Sequence, residues 1–488
     1  MSTIGTSANE SSVPLCVDMD GTLIRTDIIW ESIARLLKKK PLILLALPFW
    51  LIRGRAYFKQ RLSAHVEVDP AGLPYHAEFL EYLRAQKNKG REILLVTAAD
   101  DRPARKVADY TGMFSEVLAS NGVANLRGDH KGKTLAARFG ERGFDYAGNS
   151  TVDIPVWRLC RQAIVVNAGE SLAQKARKVA EVSQVFPSRV DFVWASIRAL
   201  RPHQWVKNLI VFVPLITSHL TSHAYSREAA LARAIIAFVA FCFCASSVYV
   251  INDLLDLESD RQHATKRNRP LASGELPVVA GLLLAPVTLL LAAAATCFLS
   301  WNFAGVLAVY VLLSISYSFT LKKIALLDVF VLAGLYTIRL IAGHEASRVD
   351  YSFWLLAFSM FIFLSLALLK RFTELEVARR AGGAEPSGRG YVTGDAEIVS
   401  ALGIANGYLS VLVMALYVNS REVSKLYQEP ILLLLVCPLL LFWISRAWLL
   451  ARRGKMHEDP IVFALKDPVS YLIGILTLAV LWLATRLG

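Results

Sequence analysis

The chain has 488 residues, 55% of them hydrophobic and 19% charged, with a mean hydropathy of +0.43 and a formal net charge of +13. That balance is too apolar for a wholly water-soluble protein, and it excludes a disordered chain or one that coats nucleic acid. The cationic excess suits anionic lipid headgroups or phosphorylated substrates, and equally the basic loops of an ordinary membrane protein.

In chain order, MSTIGTSANESSVPL lacks a basic segment followed by an apolar run, so residues 1–190 are expected to form a soluble domain that stays in the cytoplasm. The runs VPLCVDMDG, REILLVTAAD, FDYAGNS and QAIVVNAGE end in Asp, Thr or Gly and alternate with helical periodicity. They predict an α/β domain, a parallel sheet with functional groups at its carboxyl edge. A cap insert at about 25–90 separates the first two runs and contains KKKPLILLALPFWLIRGR at 38–55. Its apolar centre, Pro41 to Ile52, is too short to span a bilayer: it either lies in the interface with its cations on headgroups or forms a buried cap helix.

From about Val193 onward, nine apolar stretches of spanning length recur, near 205–221, 232–251, 279–298, 301–318, 326–343, 352–369, 400–418, 430–448 and 469–486. Residues 191–488 are therefore expected to be an all-α membrane bundle. With the N-terminus inside, the inner loops carry sixteen Lys and Arg against six outside, which supports a multi-pass protein of the inner (plasma) membrane. AGGAEPSGRG at 381–390 reads as a loop. The six cysteines show no CxxC spacing, so neither a disulfide framework nor a zinc site is indicated.

Asp18-Met19-Asp20-Gly21-Thr22 closes the first run. Two carboxylates on a Gly turn can share one Mg²⁺ while one attacks phosphorus, because an anionic nucleophile needs a cation to suppress repulsion. Thr97 offers phosphoryl-oxygen donors and Lys131 a cation, with Lys133 as its rival; Asn149 and Asp153 end another run as oxygen ligands. This ordered set resembles the haloacid-dehalogenase (HAD) superfamily, with its Rossmann-like sheet and cap. The resemblance implies Asp18 as nucleophile, Asp20 as general acid/base, Thr97 and Lys131 on the phosphate, and Asp18, Asp20, Asn149 and Asp153 as the acids and amide around Mg²⁺. Asn149 stands where that family often has Asp, which leaves the metal one negative charge short.

Asn252-Asp253-Leu254-Leu255-Asp256-Leu257-Glu258-Ser259-Asp260 follows the second span. Spacings of three and four stack these groups on one helical face, and the acids repel unless a divalent cation sits between them. The cations Arg261, Lys266, Arg267 and Arg269 follow and can bind phosphate oxygens. NDxxDxxxD with KRxRPLxxG resembles the UbiA superfamily of intramembrane prenyltransferases, although the usual second acidic motif is reduced here to Asp328. RPHQWVKN at 201–208, YSFTLKK at 317–323, IRLIAG at 338–343 and LLKRFTEL at 368–375 are similar to a subgroup, the decaprenyl-phosphate phosphoribosyltransferases.

That likeness implies transfer of phosphoribose from phosphoribosyl pyrophosphate (PRPP) to a polyprenyl phosphate, decaprenyl phosphate in that subgroup. Asp253, Asp256 and Asp260 would hold Mg²⁺ and carry catalysis. Asn252, Lys266, Arg267, Lys322, Lys323 and Asp328 would contact substrate, with Lys207, Arg339, Lys370 and Arg371 as further candidates because a cation beside an apolar span is costly without an anion. For Lys207 and Arg371 plain membrane anchoring is an equal reading, and Glu374 four residues after Lys370 suggests a helix-surface pair. The HAD-like domain would remove the 5-phosphate to leave polyprenyl-phosphoribose, a precursor of lipid-linked arabinose. The expected partners are PRPP, polyprenyl phosphate and membrane lipids, without nucleic acid; a homo-oligomer stays open. The alternatives are an aromatic prenyltransferase with an accessory lobe and a non-catalytic membrane scaffold.

Overall fold

The computed structural model describes every residue except 1–12, 123–124, 189, 219–223, 381–388, 422, 457–458, 465 and 487–488. The loop expected at 381–390 lies largely outside the described residues. The chain forms two compact units, Met1–Arg201 with Tyr249–Pro286, and Pro202–Val248 with Val287–Gly488. The acidic segment 252–260 thus packs with the first unit.

In that unit, β1 (Leu15–Val17), β2 (Ile93–Asp100), β3 (Glu116–Ser120), β4 (Asp145–Gly148), β5 (Gln162–Ala168) and β6 (Glu181–Pro187) make one parallel sheet ordered β3-β2-β1-β4-β5-β6. Leu15, Val17, Ile93 and Leu95 enter one apolar core while Cys16, Leu94 and Val96 enter the other. That alternation, with both faces covered, explains why the central strands read as unbroken apolar runs. β3 and β6 were not marked in the sequence: as sheet edges they are only partly buried, so EVLAS and EVSQVFP carry polar residues among the apolar ones. The order changes direction between β1 and β4, and the crevice at their carboxyl ends is where such sheets collect functional groups.

Helices α1 (Ile28–Lys39), α2 (Leu47–Ile52), α3 (Arg55–His65) and α4 (Ala77–Asn88) fill the insert between β1 and β2. Then α5 (Asp101–Thr111), α6 (Asp129–Phe139), α7 (Ile154–Trp157) and α8 (Glu170–Arg177) connect the later strands, and α9 (Phe192–Leu200) follows β6.

The remaining helices are α10 (Val213–Thr217), α11 (Arg227–Leu255), α12 (Leu257–Gln262), α13 (Val278–Thr296), α14 (Trp301–Phe319), α15 (Leu327–Ser347), α16 (Phe353–Arg380), α17 (Ala396–Val418), α18 (Val423–Leu426), α19 (Val436–Arg452), α20 (Pro460–Ala464) and α21 (Pro468–Arg486). Among the described residues eight helical stretches are long and apolar enough to cross a membrane, not nine. The expected first span near 205–221 folds instead as a 3₁₀ segment, Pro202–Phe212, and the five-residue α10. Two prolines, Pro202 and Pro214, withhold amide donors there, and Lys207 and Asn208 are buried against polar partners that a lipid-facing helix would not supply. Close helix approach elsewhere uses small residues: a Cβ on Gly403 would run into the Trp448 indole.

Candidate functional sites

The end of β1 is tied to β4 by Asp18 N–H, which donates to Ala147 O at 3.0 Å. Gly21 then turns with φ +74°, and a Cβ there would collide with the Asn149 carboxamide. Glycine therefore lets the Asp18–Asp20 turn press directly on the residues after β4. Lys131 on α6 is buried and donates 2.8 Å hydrogen bonds to Asp18 Oδ1 and to the Tyr146 hydroxyl. That phenol donates to Asp153 Oδ1 at 3.0 Å, while Asp153 Oδ2 accepts from the N–H groups of Asn149 (3.1 Å) and Ser150 (3.0 Å). The rival Lys133 is exposed and paired with Asp129 at 2.7 Å, so Lys131 is the cation beside Asp18. Thr97 is buried inside β2, its Oγ1 accepting from Ala99 N–H at 3.0 Å.

Burial pushes Asp18 up to about 6 against the opposing pull of the Lys131 ammonium. Burial, with the neighbouring Asp27 carboxylate, holds Asp20 well above the usual carboxylate range. Asp20 Oδ1 accepts the Ile28 N–H at 3.0 Å, at the start of α1. A cation would relieve this crowding of buried acids. Among the described residues no three His, Cys, Asp or Glu side chains form a ready cage, but magnesium is ordinarily held through one or two carboxylates plus water and phosphate oxygens. Asp18 and Asp20, with the Asn149 amide alongside and a buried Thr22 hydroxyl that has no hydrogen-bond partner among the described residues, fit that pattern. Asp153 is taken up by Tyr146, Asn149 and Ser150, so its visible work is to orient that loop.

Two residues of this site escaped sequence reasoning. Tyr146 lay inside an apolar run, where a tyrosine reads as core. Lys59, on α3 of the cap, donates to Ala98 O at 2.6 Å and Asn125 Oδ1 at 2.9 Å. Burial pulls its pKa down while Asp20 and Asp27 hold it up, so it stands within the field of those two acids. Its only sequence signal was membership of a cationic insert.

In the acidic segment, α11 ends at Leu255 and Asp256 caps α12, yet Asp256 N–H still reaches Asn252 O and Asp260 N–H reaches Asp256 O, both at 2.8 Å. The expected helical spacing therefore survives a break in the helix. Arg201 and Arg269 both pair with Asp253, and Arg269 also pairs with Asp260 at 2.5 Å. Arg201 and Arg269 thus offset part of the charge on Asp253 and Asp260, and Arg269 is engaged with both acids. Burial pushes Asp260 up despite Arg269. Asp256 is the most accessible of the three, with Lys38 at 3.8 Å. Asn252 Oδ1 is buried without a hydrogen-bond partner among the described residues, an oxygen suited to a cation or ligand donor. Lys266 is half-buried and Arg267 exposed on the turn that follows.

In the second unit, Asp328 opens α15 fully buried. Arg371, equally buried on α16, lies 2.7 Å from its Oδ2, and the Tyr391 hydroxyl donates to its Oδ1 at 2.6 Å. Arg371 is thus the counter-ion of Asp328, whose Oδ2 has no hydrogen-bond partner among the described residues. Glu374 sits with Arg371 and, at 3.4 Å, with Arg389, not with the expected Lys370, which is half-buried on the same helix. Lys207 pairs with Asp459. Arg339 donates to Asn208 Oδ1 (2.8 Å) and the Tyr310 hydroxyl (2.9 Å) among the rings of Phe241, Tyr310 and Tyr336. Lys322 and Lys323 lie on the 3₁₀ turn before α15, Lys323 exposed.

A parallel sheet with an Asp–Lys pair at its switch point, followed among the described residues by eight membrane-length helices, is the architecture of a multi-pass membrane protein with a hydrolase-type domain before its helices. Residues 15–158 match the haloacid dehalogenase-like hydrolase model, and residues 211–466 match the UbiA prenyltransferase family model. The chain belongs to the UbiA prenyltransferase family and carries a HAD-like domain before the membrane helices. It is 38% identical over 471 residues to an uncharacterised protein, y4nM, of Sinorhizobium fredii, covering 96% of this chain and 90% of that one. It is 39% identical over 192 residues to a decaprenyl-phosphate phosphoribosyltransferase of Mycolicibacterium smegmatis, covering 39% of this chain and 60% of that enzyme. A UbiA homologue from Archaeoglobus fulgidus, solved with GPP and Mg²⁺, aligns over 59% of this chain and 96% of its own at 17% identity and a TM-score of 0.45.

Proposed function

We propose that the protein transfers 5-phosphoribose from PRPP to a polyprenyl phosphate, and that its HAD-like domain then removes the 5-phosphate to leave polyprenyl-phosphoribose, which would feed lipid-linked arabinose. The bond from ribose C1 to pyrophosphate breaks, and a bond from C1 to the lipid phosphate oxygen forms. Asp253, Asp256 and Asp260 would hold Mg²⁺ for the diphosphate end, Lys266 and Arg267 contact its oxygens, and Asn252 orients it. Magnesium, when bound by these acids, neutralises charge on the departing pyrophosphate. In the second step Asp18 attacks phosphorus as the bond to the 5-oxygen breaks and Asp20 protonates that oxygen; water, deprotonated by Asp20, then hydrolyses the aspartyl phosphate to free phosphate and Asp18, while Lys131 and Thr97 hold the phosphoryl oxygens. Both sites work at the cytoplasmic face of the plasma membrane.

One observation supports this above others. The second acid, Asp328, is single and enclosed by Arg371 and Tyr391, which leaves one acidic cluster to hold a diphosphate. An aromatic prenyltransferase of the usual two-motif kind calls for a pair there. The likeness to a named decaprenyl-phosphate phosphoribosyltransferase points the same way. The test offers the full chain, in vesicles containing decaprenyl phosphate and Mg²⁺, labelled PRPP in one arm and a labelled prenyl diphosphate with an aromatic acceptor in the other. Ribosylated lipid in the first arm alone is expected; transfer only in the second would end this reading.

A further inference from the structure

The cap carries an apolar surface that neither site uses. The 3₁₀ segment Pro41–Ala46 and α2 together present twelve uncharged residues, PLILLALPFWLI. One side of this hairpin, with Ile43, Leu44 and Leu47, packs on Leu36, Leu62 and Val66. The other side faces outward: Leu42 is 80% exposed, Phe49 70% and Ile52 82%, with Leu45 and Leu51 also exposed. A contiguous patch of this kind marks an interaction surface.

Charge decides which one. Between Glu31 and Glu67 the chain has no carboxylate and eight Lys or Arg. Lys39 and Lys40 are exposed at one end of the hairpin, and Arg53 and Arg55 at the other. Apolar side chains in the middle with cations at both margins suit acyl chains below and anionic headgroups beside them, and twelve residues lie along such a surface without crossing it. The same chain carries membrane-length helices, so it meets a bilayer in any case.

We propose that residues 41–52 seat the cap in the headgroup layer of an anionic bilayer. From that seat α3 continues past Gly54, which has φ +107°, and brings Lys59 to Ala98 O beside the catalytic acids. The roof of the phosphatase site and the lipid surface are then joined by one short stretch of chain, so a phosphoester carried by a lipid meets the site ahead of one in bulk water. The seating does not depend on which sugar that lipid carries.

The test uses the full chain in nanodiscs, with exposed Cys297 replaced by Ser. An environment-sensitive fluorophore is attached through Phe49→Cys or Ile52→Cys, and through Lys89→Cys, an exposed position on the same domain, as the control. Lipids bearing a nitroxide just below the headgroup should quench the label at 49 and 52 by about twofold or more and leave the label at 89 unchanged. Quenching should weaken in purely zwitterionic discs and in Lys39→Glu/Lys40→Glu/Arg53→Glu. Labels at 49 and 52 quenched only by aqueous iodide would overturn the proposal. Equal lipid quenching with and without anionic lipid would overturn its electrostatic half.

Discussion

Arg261 and Glu31, far apart in sequence, form a two-bonded ion pair inside the first unit, at 2.6 and 3.1 Å. Glu31 is fully buried on α1 and also accepts from the Thr26 hydroxyl at 2.7 Å, while Arg261 also donates to Gly72 O and Ala272 O. The pair joins α1, whose first N–H is held by Asp20, to the residue that follows Asp260. Removing one member strands a buried charge and should cost about 3–5 kcal/mol. Glu31→Gln should therefore lower the unfolding midpoint of the full chain sharply, and Glu31→Leu with Arg261→Met should recover most of the loss. A double-mutant cycle on chemical unfolding measures it; additive single effects would show that the two side chains are not coupled.

The two lysines of α6 make a sharper contrast. Lys131→Met should reduce phosphatase turnover by roughly 10²–10³-fold, as expected for loss of a group that holds developing charge. Lys133→Met, which breaks only an exposed pair with Asp129, should leave turnover within about twofold. Steady-state rates on one phosphomonoester decide it.

The raised Asp18 sets a pH dependence for metal loading. Its carboxyl holds a proton up to about pH 6, and metal binding must release that proton. Affinity for Mg²⁺ should thus rise with pH by about tenfold per unit below that value and level off above it. The same group lowers stability in metal-free protein as pH climbs from its ordinary value of 3.8 to about 6, because the folded state binds more protons than the unfolded state across that window. Calorimetric titration of the full chain in detergent, with Asp18→Asn as the control, checks the first effect; an unchanged profile in the variant would assign it to another group.

Among the membrane-proximal acids the expected outcomes divide by exposure. Asp256 is the most accessible of the three, so Asp256→Asn should lower the proposed sugar transfer by about 10²-fold or more with little change in thermal midpoint. Asp253→Asn should lower both, since it leaves Arg201 and Arg269 without their shared anion. Midpoints measured beside rates separate the two cases.

Much of this was legible in the chain because the chemistry is local. The central strands are continuous apolar runs, the Asp18–Thr22 turn is contiguous, and the acids of 253–260 fall at helical spacing. What was hidden depends on residues brought together from afar. Arg201 could not be matched to Asp253, nor Arg371 to Asp328, because nothing in an arginine's neighbours marks the anion it will meet. Tyr146 and Lys59 carry no periodic signature, and the segment 205–221 had the composition of a span but not the uninterrupted amide donors of a helix.

The length of α11 has a consequence of its own. Twenty-nine residues rise about 44 Å, whereas the oily interior of a bilayer is roughly 30 Å thick. Tilt absorbs part of the difference, but a polar end must still emerge. Asn252 and Asp253 sit in the last turn of that helix. In the proposed transfer a greasy acceptor and a water-borne donor would then meet at the same carboxylates, and neither would have to leave its own medium.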